Sequence, residues 1–464
     1  MSLVGMKLRE RMDKEFVIFI FGGTGDLAKR KLFPVLESMY KGGKLRGLKG
    51  VYALGRSVGK LRDYVSNLDR DFAGFFHPFE FDVTDKDSYE RLGREVSRFP
   101  KEELIFYLAL PPQLFETTIV HTGSLLRRFS NPRKIVIEKP FGFDLESARK
   151  LNFQLRRYFT EREIYRIDHF LGKVAIQNIL SVRFSNYIFE GIWNKNFIDC
   201  IQISALEEIG LEGRAGYYDR VGALRDMVQN HLLQILSFLA MEPPAIMEAE
   251  RVRDEKVKVL SSIRKFSRDE IDRYAVRGRY RGYIQELGRD SNTETYAAVK
   301  LFIDNFRWEG VPFYLRTGKR LKKKVTQVVV LFKEVPGNFG RLLGCVPRQN
   351  KLVFDIAPSN DVKLFFEMAP PEGFLACPVE REMELDLSPD GLPEAYETLI
   401  EDILEGNQTL FIREDESELA WEIIQPILDA WKEDTNVPEY EPGSWGPEEA
   451  EVFIGKDGRG WVLV

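Results

Sequence analysis

Short, unbroken apolar runs recur through the first third of the chain, separated by longer stretches in which charge and apolarity alternate. The runs are Phe16–Phe21, Val51–Leu54, Leu104–Leu108 and Lys134–Ile137, rich in Val, Ile and Phe. The intervening stretches Leu27–Tyr40, Gln113–Phe129 and Asp144–Phe159 carry apolar residues at helical spacing. Strands apolar on both faces, alternating with amphipathic helices, predict a parallel sheet covered on both sides. Beyond about Ile179 the rhythm changes. Phe197–Leu206, Tyr296–Phe306, Val325–Phe332, Lys351–Ile356 and Val362–Phe366 read as strands, the later ones following one another without intervening helices. Gly216–Leu239 reads as one long helix, and Glu394–Leu404 and Glu416–Trp431 as two more. The expected architecture is an α/β Rossmann-like N-terminal domain over residues 1–178. An α+β domain with a large, mostly antiparallel sheet follows over 179–464.

A chain of 464 residues exceeds what one core organises, which fits two domains. Its 67 basic and 72 acidic residues leave a net charge of −5, without the basic field expected of a nucleic-acid-binding protein. No stretch approaches the roughly 18 consecutive apolar residues of a membrane span. Residues 1–15 lack the apolar core of a secretory signal. Cys200, Cys345 and Cys377 are widely separated, so free thiols in a reducing, cytoplasmic setting are the expectation.

The first strand runs directly into Gly22-Gly23-Thr24-Gly25-Asp26-Leu27-Ala28, which opens a helix. Glycines at this spacing let the backbone turn tightly and approach a pyrophosphate, which meets the N–H groups of the helix start. The second strand ends in Arg56-Ser57, where an NAD enzyme often carries an acidic residue. A cation and a hydroxyl there suit a 2′-phosphate, favouring NADP. The P-loop signature is absent.

The chain has four histidines, none at metal-ligand spacing with another, and no metal site is expected. His231 falls on one helix face with Leu224, Val228 and Ile235; a buried core histidine and a catalytic base both fit that position. Asp168-His169, with Lys173 close behind, fits either a base–orienter or anion-binding group or a local salt bridge. Lys322–Lys324 alone reads as a solvated charge run, and Lys139 beside Glu138 as an ion pair.

Together these segments resemble the glucose-6-phosphate dehydrogenase family. The resemblance runs from Gly22–Lys31 through Glu138–Gly142, Arg166–Lys173, Gly216–Asp219, Arg225–His231 and Val311–Lys319 to Gly443–Pro447. It implies oxidation of glucose 6-phosphate at C1 to 6-phosphoglucono-1,5-lactone with NADP⁺, the entry to the oxidative pentose phosphate pathway. His231 matches the family's base and Asp168 the carboxylate that orients it. His169 and Lys173 match phosphate-holding residues, Glu207 and Asp226 partners of sugar hydroxyls, and Lys319 and Lys324 substrate lysines. Lys139 matches a lysine beside both the sugar and the cofactor. Gly22, Gly23, Thr24, Gly25, Asp26, Leu27, Lys29, Arg56, Ser57, Asp82 and Val83 match the NADP-binding set. Phe170 stands where the family usually has tyrosine, removing a hydroxyl that commonly touches the phosphate. The resemblance also implies a homodimer, or a dimer of dimers, built on the second domain's sheet. Two other readings are a hexose dehydrogenase indifferent to the phosphate and a non-catalytic NADPH-binding regulator.

Overall fold

The computed structural model describes residues 14–213, 215–337, 339–346, 348–373, 375–386 and 394–464, and these residues divide into two units. The first gathers the described residues up to 172 with 247–253 and 394–418, and the second holds 173–246, 254–386 and 419–464.

In the first unit the apolar runs become β1 (Phe16–Phe21), β2 (Leu48–Gly55), β3 (Phe76–Glu80), β4 (Glu103–Leu108), β5 (Arg133–Glu138) and β6 (Ile164–Ile167). They pair in parallel in the order β6-β5-β4-β1-β2-β3, and a short strand, Phe411–Ile412, pairs antiparallel to β6. All six residues of β1 are buried, as its place between two neighbours and two helical layers demands. Phe19, Phe21, Phe106, Leu108, Ile135 and Ile137 belong to one core cluster, where each fully buried side chain contributes about 1.5–3 kcal/mol. Asp144 caps the helix Leu145–Arg156 through the N–H of Ser147, at 2.8 Å, and Asp85 caps Lys86–Val96 in the same manner. The sequence pattern passed over β3 because Phe76-His77-Pro78-Phe79-Glu80 alternates in burial. It lies at the sheet edge, where a proline is tolerated.

In the second unit β7 (Ile198–Leu206), β8 (Ala275–Tyr280), β9 (Tyr296–Phe302), β10 (Pro312–Gly318), β11 (Val325–Phe332), β12 (Lys351–Ala357), β13 (Asp361–Met368) and β14 (Val379–Asp386) form one sheet. Their order is β14-β13-β12-β11-β7-β10-β9-β8, with Glu439–Tyr440 pairing parallel to β8. From β7 to β14 the neighbours are antiparallel except β7 and β10, which run parallel. The long helix expected over Gly216–Leu239 is three segments. A helix over Ala215–Ala223 is interrupted at Gly222 (φ 72°, ψ 172°), Leu224–Leu232 is a π-helix, and Leu233–Ala240 is α-helical.

The expectation of three free thiols is corrected. Cys345 and Cys377 form a disulfide with Cα atoms 5.7 Å apart, while Cys200 is free and buried. The pairing of β12 with β13 explains it. Their antiparallel register folds the chain back on itself, returning the segment after β13 to the segment before β12. Among the described residues, no helix is long and apolar enough to cross a membrane.

Gly22 has φ +80°, and a Cβ built there would fall 2.9 Å from the carbonyl carbon of Ala109, just beyond β4. Gly43 shares a positive φ (+71°) but has open space around it. Gly22→Ala is therefore expected to lose about 2 kcal/mol or more, and Gly43→Ala about 1 kcal/mol. Urea midpoints of the two variants measure the difference, and equal losses would remove the role given to the close approach.

Candidate active site

In the first unit the strand order reverses beside β1: the chain goes from β1 outward to β3, then returns to β4 on β1's other side. Open α/β sheets bind ligands at the carboxyl ends of strands at such a point. Gly22 lies there, closing a turn in which Gly25 N–H donates to Gly22 O at 2.8 Å. Gly23 passes so close over β2 that a Cβ would lie 2.8 Å from Ala53 Cα. Thr24 packs against Gly55 at the end of β2, where a Cβ would meet its Oγ1 at 2.7 Å. The helix that follows begins as a π-turn, Ala28–Leu32, and continues as Phe33–Lys41. Leu27 occupies its N-cap with no side-chain cap bond, so no capping side chain competes with an anion for the first N–H groups. At all three contacts a side chain would meet protein atoms, so the glycines let this backbone cradle lie flat on the strand ends, and a pyrophosphate would meet it at the helix start.

Arg56 and Ser57 follow β2, and Asp82 follows β3; Gly55 pairs with Glu80, so these positions leave neighbouring strand ends. Asp82 accepts from Thr84 N–H at 2.9 Å and from its hydroxyl at 2.7 Å. Those bonds, aided by the charge of Arg56, hold its carboxyl below the usual range. Val83 offers its carbonyl to Tyr89 OH at 3.1 Å.

Lys139 follows the buried Glu138 at the end of β5. Tyr107 OH donates to Glu138 Oε1 at 2.5 Å and Tyr396 OH to the same oxygen at 3.2 Å. Burial pushes the Glu138 carboxyl up to about 7, against the lowering effect of the two phenols and of Lys139. Asp168 is buried and accepts from Phe170 N–H at 2.9 Å. The His169 ring lies parallel to that of Tyr396, with centroids 6.3 Å apart, and meets the buried Phe170 edge-on at 5.2 Å. Nothing in the sequence singled out Tyr396, because it sits more than two hundred residues away on the helix Ala395–Glu405.

In the second unit the register gathers three of the expected residues. Leu206 pairs with Gly318 and with Val325, so Glu207, Lys319 and Lys324 leave or enter the sheet at one end. Lys319 Nζ forms an ion pair with Glu207 Oε2, and its ammonium lies 5.0 Å from the centre of the Tyr218 ring. Burial first, then the negative charges of Asp226, Glu294 and Glu207, hold the Tyr218 phenol well above its usual range. Asp226 and the buried His231 both ride on the π-helix. Five residues apart, they would diverge around an α-helix; i→i+5 bonding brings them towards one side. Lys173 stands at the N-cap of the helix Val174–Ser185.

A glycine cradle at the switch point of a β3-β2-β1-β4-β5-β6 sheet defines a dinucleotide-binding protein of the Rossmann class. Residues 19–178 match the family model described as glucose-6-phosphate dehydrogenase, NAD binding domain, and residues 180–462 the model of the C-terminal domain. The chain belongs to the glucose-6-phosphate dehydrogenase family. It is 42% identical to glucose-6-phosphate 1-dehydrogenase of Bacillus subtilis, covering 98% of this chain and 99% of the relative. Similarity to the enzyme of Treponema pallidum is 40%, over 96% and 94% of the two chains. A solved glucose-6-phosphate dehydrogenase in complex with its substrate glucose 6-phosphate superimposes with a TM-score of 0.87 at 32% identity, over 97% of this chain and 99% of that one. The Gal80p regulator of Saccharomyces cerevisiae, with a TM-score of 0.57 at 9% identity over 90% and 96% of the two chains, shares the fold alone.

The raised Glu138 carboxyl carries a sign. Between the unfolded value near 4.5 and the folded value of about 7, the native protein keeps a proton that the unfolded chain releases. Its contribution to stability is fully present below the lower value and is lost as pH rises through the upper one. Glu138→Gln is expected to gain thermal midpoint relative to wild type between about pH 5 and about pH 8. Calorimetric scans at both values check this, and a gap independent of pH would show the carboxyl ionised throughout.

Proposed function

We propose that the chain oxidises D-glucose 6-phosphate at C1 to 6-phosphoglucono-1,5-lactone with NADP⁺, the first step of the oxidative pentose phosphate pathway. The observation that carries this reading is similarity over 97% of the chain to a glucose-6-phosphate dehydrogenase solved with that substrate. Gly22, Gly23, Thr24, Gly25, Asp26, Leu27 and Lys29 would hold the pyrophosphate. Arg56 and Ser57 would meet the 2′-phosphate, and Asp82, Val83 and Lys139 would complete the cofactor site. When bound, NADP⁺ supplies the acceptor for the hydride that leaves C1.

His231 takes the proton of the C1 hydroxyl as the C1–H electron pair departs, leaving a C1 carbonyl. Asp168 orients the imidazole and supports its charged form. His169 and Lys173 hold the 6-phosphate through charge-assisted hydrogen bonds. Glu207 and Asp226 accept from sugar hydroxyls, and Lys319, Lys324 and Lys139 complete the substrate's surroundings. Support within the second unit comes from the shared sheet end of Glu207, Lys319 and Lys324, and from the π-helix that carries Asp226 with His231.

A homodimer or dimer of dimers, working in the cytoplasm, belongs to the same reading. Its support is an apolar face at the sheet edge. Met368 on β13 and Met383 and Leu385 on β14 are at least half exposed, and the last two sit opposite Leu364 and Val362.

His231→Asn is expected to lower kcat by about 10³-fold while glucose 6-phosphate still binds, measured by NADPH absorbance and by titration calorimetry. Near-normal turnover would exclude His231 as the base. Arg56→Ala is expected to raise KM for NADP⁺ by about ten- to a hundredfold and to leave NAD⁺ nearly unaffected. Equal effects on both would remove the 2′-phosphate assignment. Turnover of free glucose at the rate of glucose 6-phosphate would point instead to a phosphate-indifferent hexose dehydrogenase.

A further inference from the structure

We infer that Glu294 and Thr295 are positioning residues for the sugar site, fixing the helix that carries Asp226 and His231 relative to the strand end that carries Lys319. The inference rests on the substrate and base roles proposed above, and its geometry lies wholly in the second unit.

Two consecutive residues hold both sides. The buried Glu294 accepts from Leu224 N–H at 3.0 Å through Oε1 and from Ala223 N–H at 3.1 Å through its backbone carbonyl. Leu224 is the first residue of the π-helix, so the carboxylate meets a first-turn N–H without an intrahelical partner and faces the positive end of the helix dipole. Thr295, fully buried, accepts from Lys319 N–H at 2.9 Å through its carbonyl. Its own N–H donates to Gly278 O at 2.8 Å. Its hydroxyl accepts from Tyr280 N–H at 2.9 Å and shares a hydrogen bond of 2.9 Å with Tyr440 OH, which donates to Lys319 O at 2.7 Å. One peptide segment thus links the start of the π-helix to the main chain of Lys319.

Gly222 makes the arrangement possible. Its φ of 72° and ψ of 172° fall in a region that only glycine populates freely. A Cβ there would lie 2.7 Å from the Glu294 carboxyl carbon. On the other side of that break, Asp219 is tied to the loop leading to Glu294: Thr293 OH donates to its carbonyl, and Arg289 and Ser291 bind its carboxylate. The loop is therefore fastened to the helical segment both before and after Gly222. Burial raises the Glu294 carboxyl, while the Leu224 N–H and the charges of Arg225 and Arg277 pull it part of the way back.

A carboxylate that only supported the fold would change the melting temperature and the fraction of active enzyme. A positioning carboxylate changes the constants for one substrate. In the full-length enzyme, Glu294→Ala is expected to raise KM for glucose 6-phosphate and lower kcat, each by about tenfold, while KM for NADP⁺ moves less than about twofold. Glu294→Gln, whose amide oxygen can still accept from Leu224 N–H, is expected to recover most of both. Glu294→Asp, one methylene short, should resemble the alanine variant and supplies the readout if that variant does not fold. Wild-type constants in the alanine or aspartate variant, equal changes in both KM values, or a glutamine variant no better than alanine would each overturn the inference. His231→Asn measured alongside separates the two levels. If it is inactive while the Glu294 variants are normal, only the positioning role falls. If it turns over normally, the site assignment falls and the positioning role with it.

Discussion

The parallel pairing of β7 with β10, inside a sheet whose other principal strands run antiparallel, is the constraint on which the second unit depends. Adjacent parallel strands cannot be joined by a hairpin, so more than a hundred residues must leave the end of β7 before the chain returns as β10. That excursion contains the broken helix, β8 and β9. Because both strands point the same way, Glu207 and Lys319 emerge together, and the antiparallel return into β11 brings Lys324 to the same end. The π-helix of that excursion packs against β7, β9 and β10. One choice of strand direction thus gathers Glu207, Lys319 and Lys324 at a single end of the sheet.

The first unit solves a similar problem with backbone proximity. Gly22 and Gly23 let the turn after β1 pass over its neighbours at distances a side chain would forbid. Gly23 N–H is engaged by Leu54 O and Gly25 N–H by Gly22 O, so phosphate oxygens would depend on the N–H groups at the start of the following helix. Charged groups stand instead at the ends of β2 and β3, where the charge of Arg56 helps to lower the Asp82 carboxyl.

Much of this was legible in the chain. The glycine turn announced itself because spacing, preceding strand and following helix agree, and the parallel sheet because its strands are apolar without interruption. The helix of His231 was harder. Leu224, Val228 and Ile235 satisfy an α-helical stripe, yet the backbone there is a π-helix, and an apolar pattern does not reveal a changed hydrogen-bond register. β10 escaped detection because its buried Arg316 and Thr317 look like surface residues. In the fold Arg316 bonds Ser204 at 3.0 Å and lies over Trp461 at 4.3 Å. Glu294 carried no signal, since an acidic residue in a polar loop is ordinary until its neighbours are known. Cys345 and Cys377 look independent for the same reason: only the β12–β13 register makes them adjacent.

The two-residue strand Phe411–Ile412 closes the edge of the N-terminal sheet, and its arrival has a meaning in time as well as in space. Arg166, fully buried in β6, donates to Ile412 O at 3.3 Å, and Lys134 in β5 donates to Ile403 O at 2.5 Å. A ribosome that has released only the first 178 residues has made every parallel strand of that sheet. It has not yet made the groups that shield its edge and share its interior cations. An open edge strand beside incompletely solvated charges invites pairing with another nascent chain. The edge of the dinucleotide-binding sheet is therefore completed only by residues that follow most of the second unit in the chain.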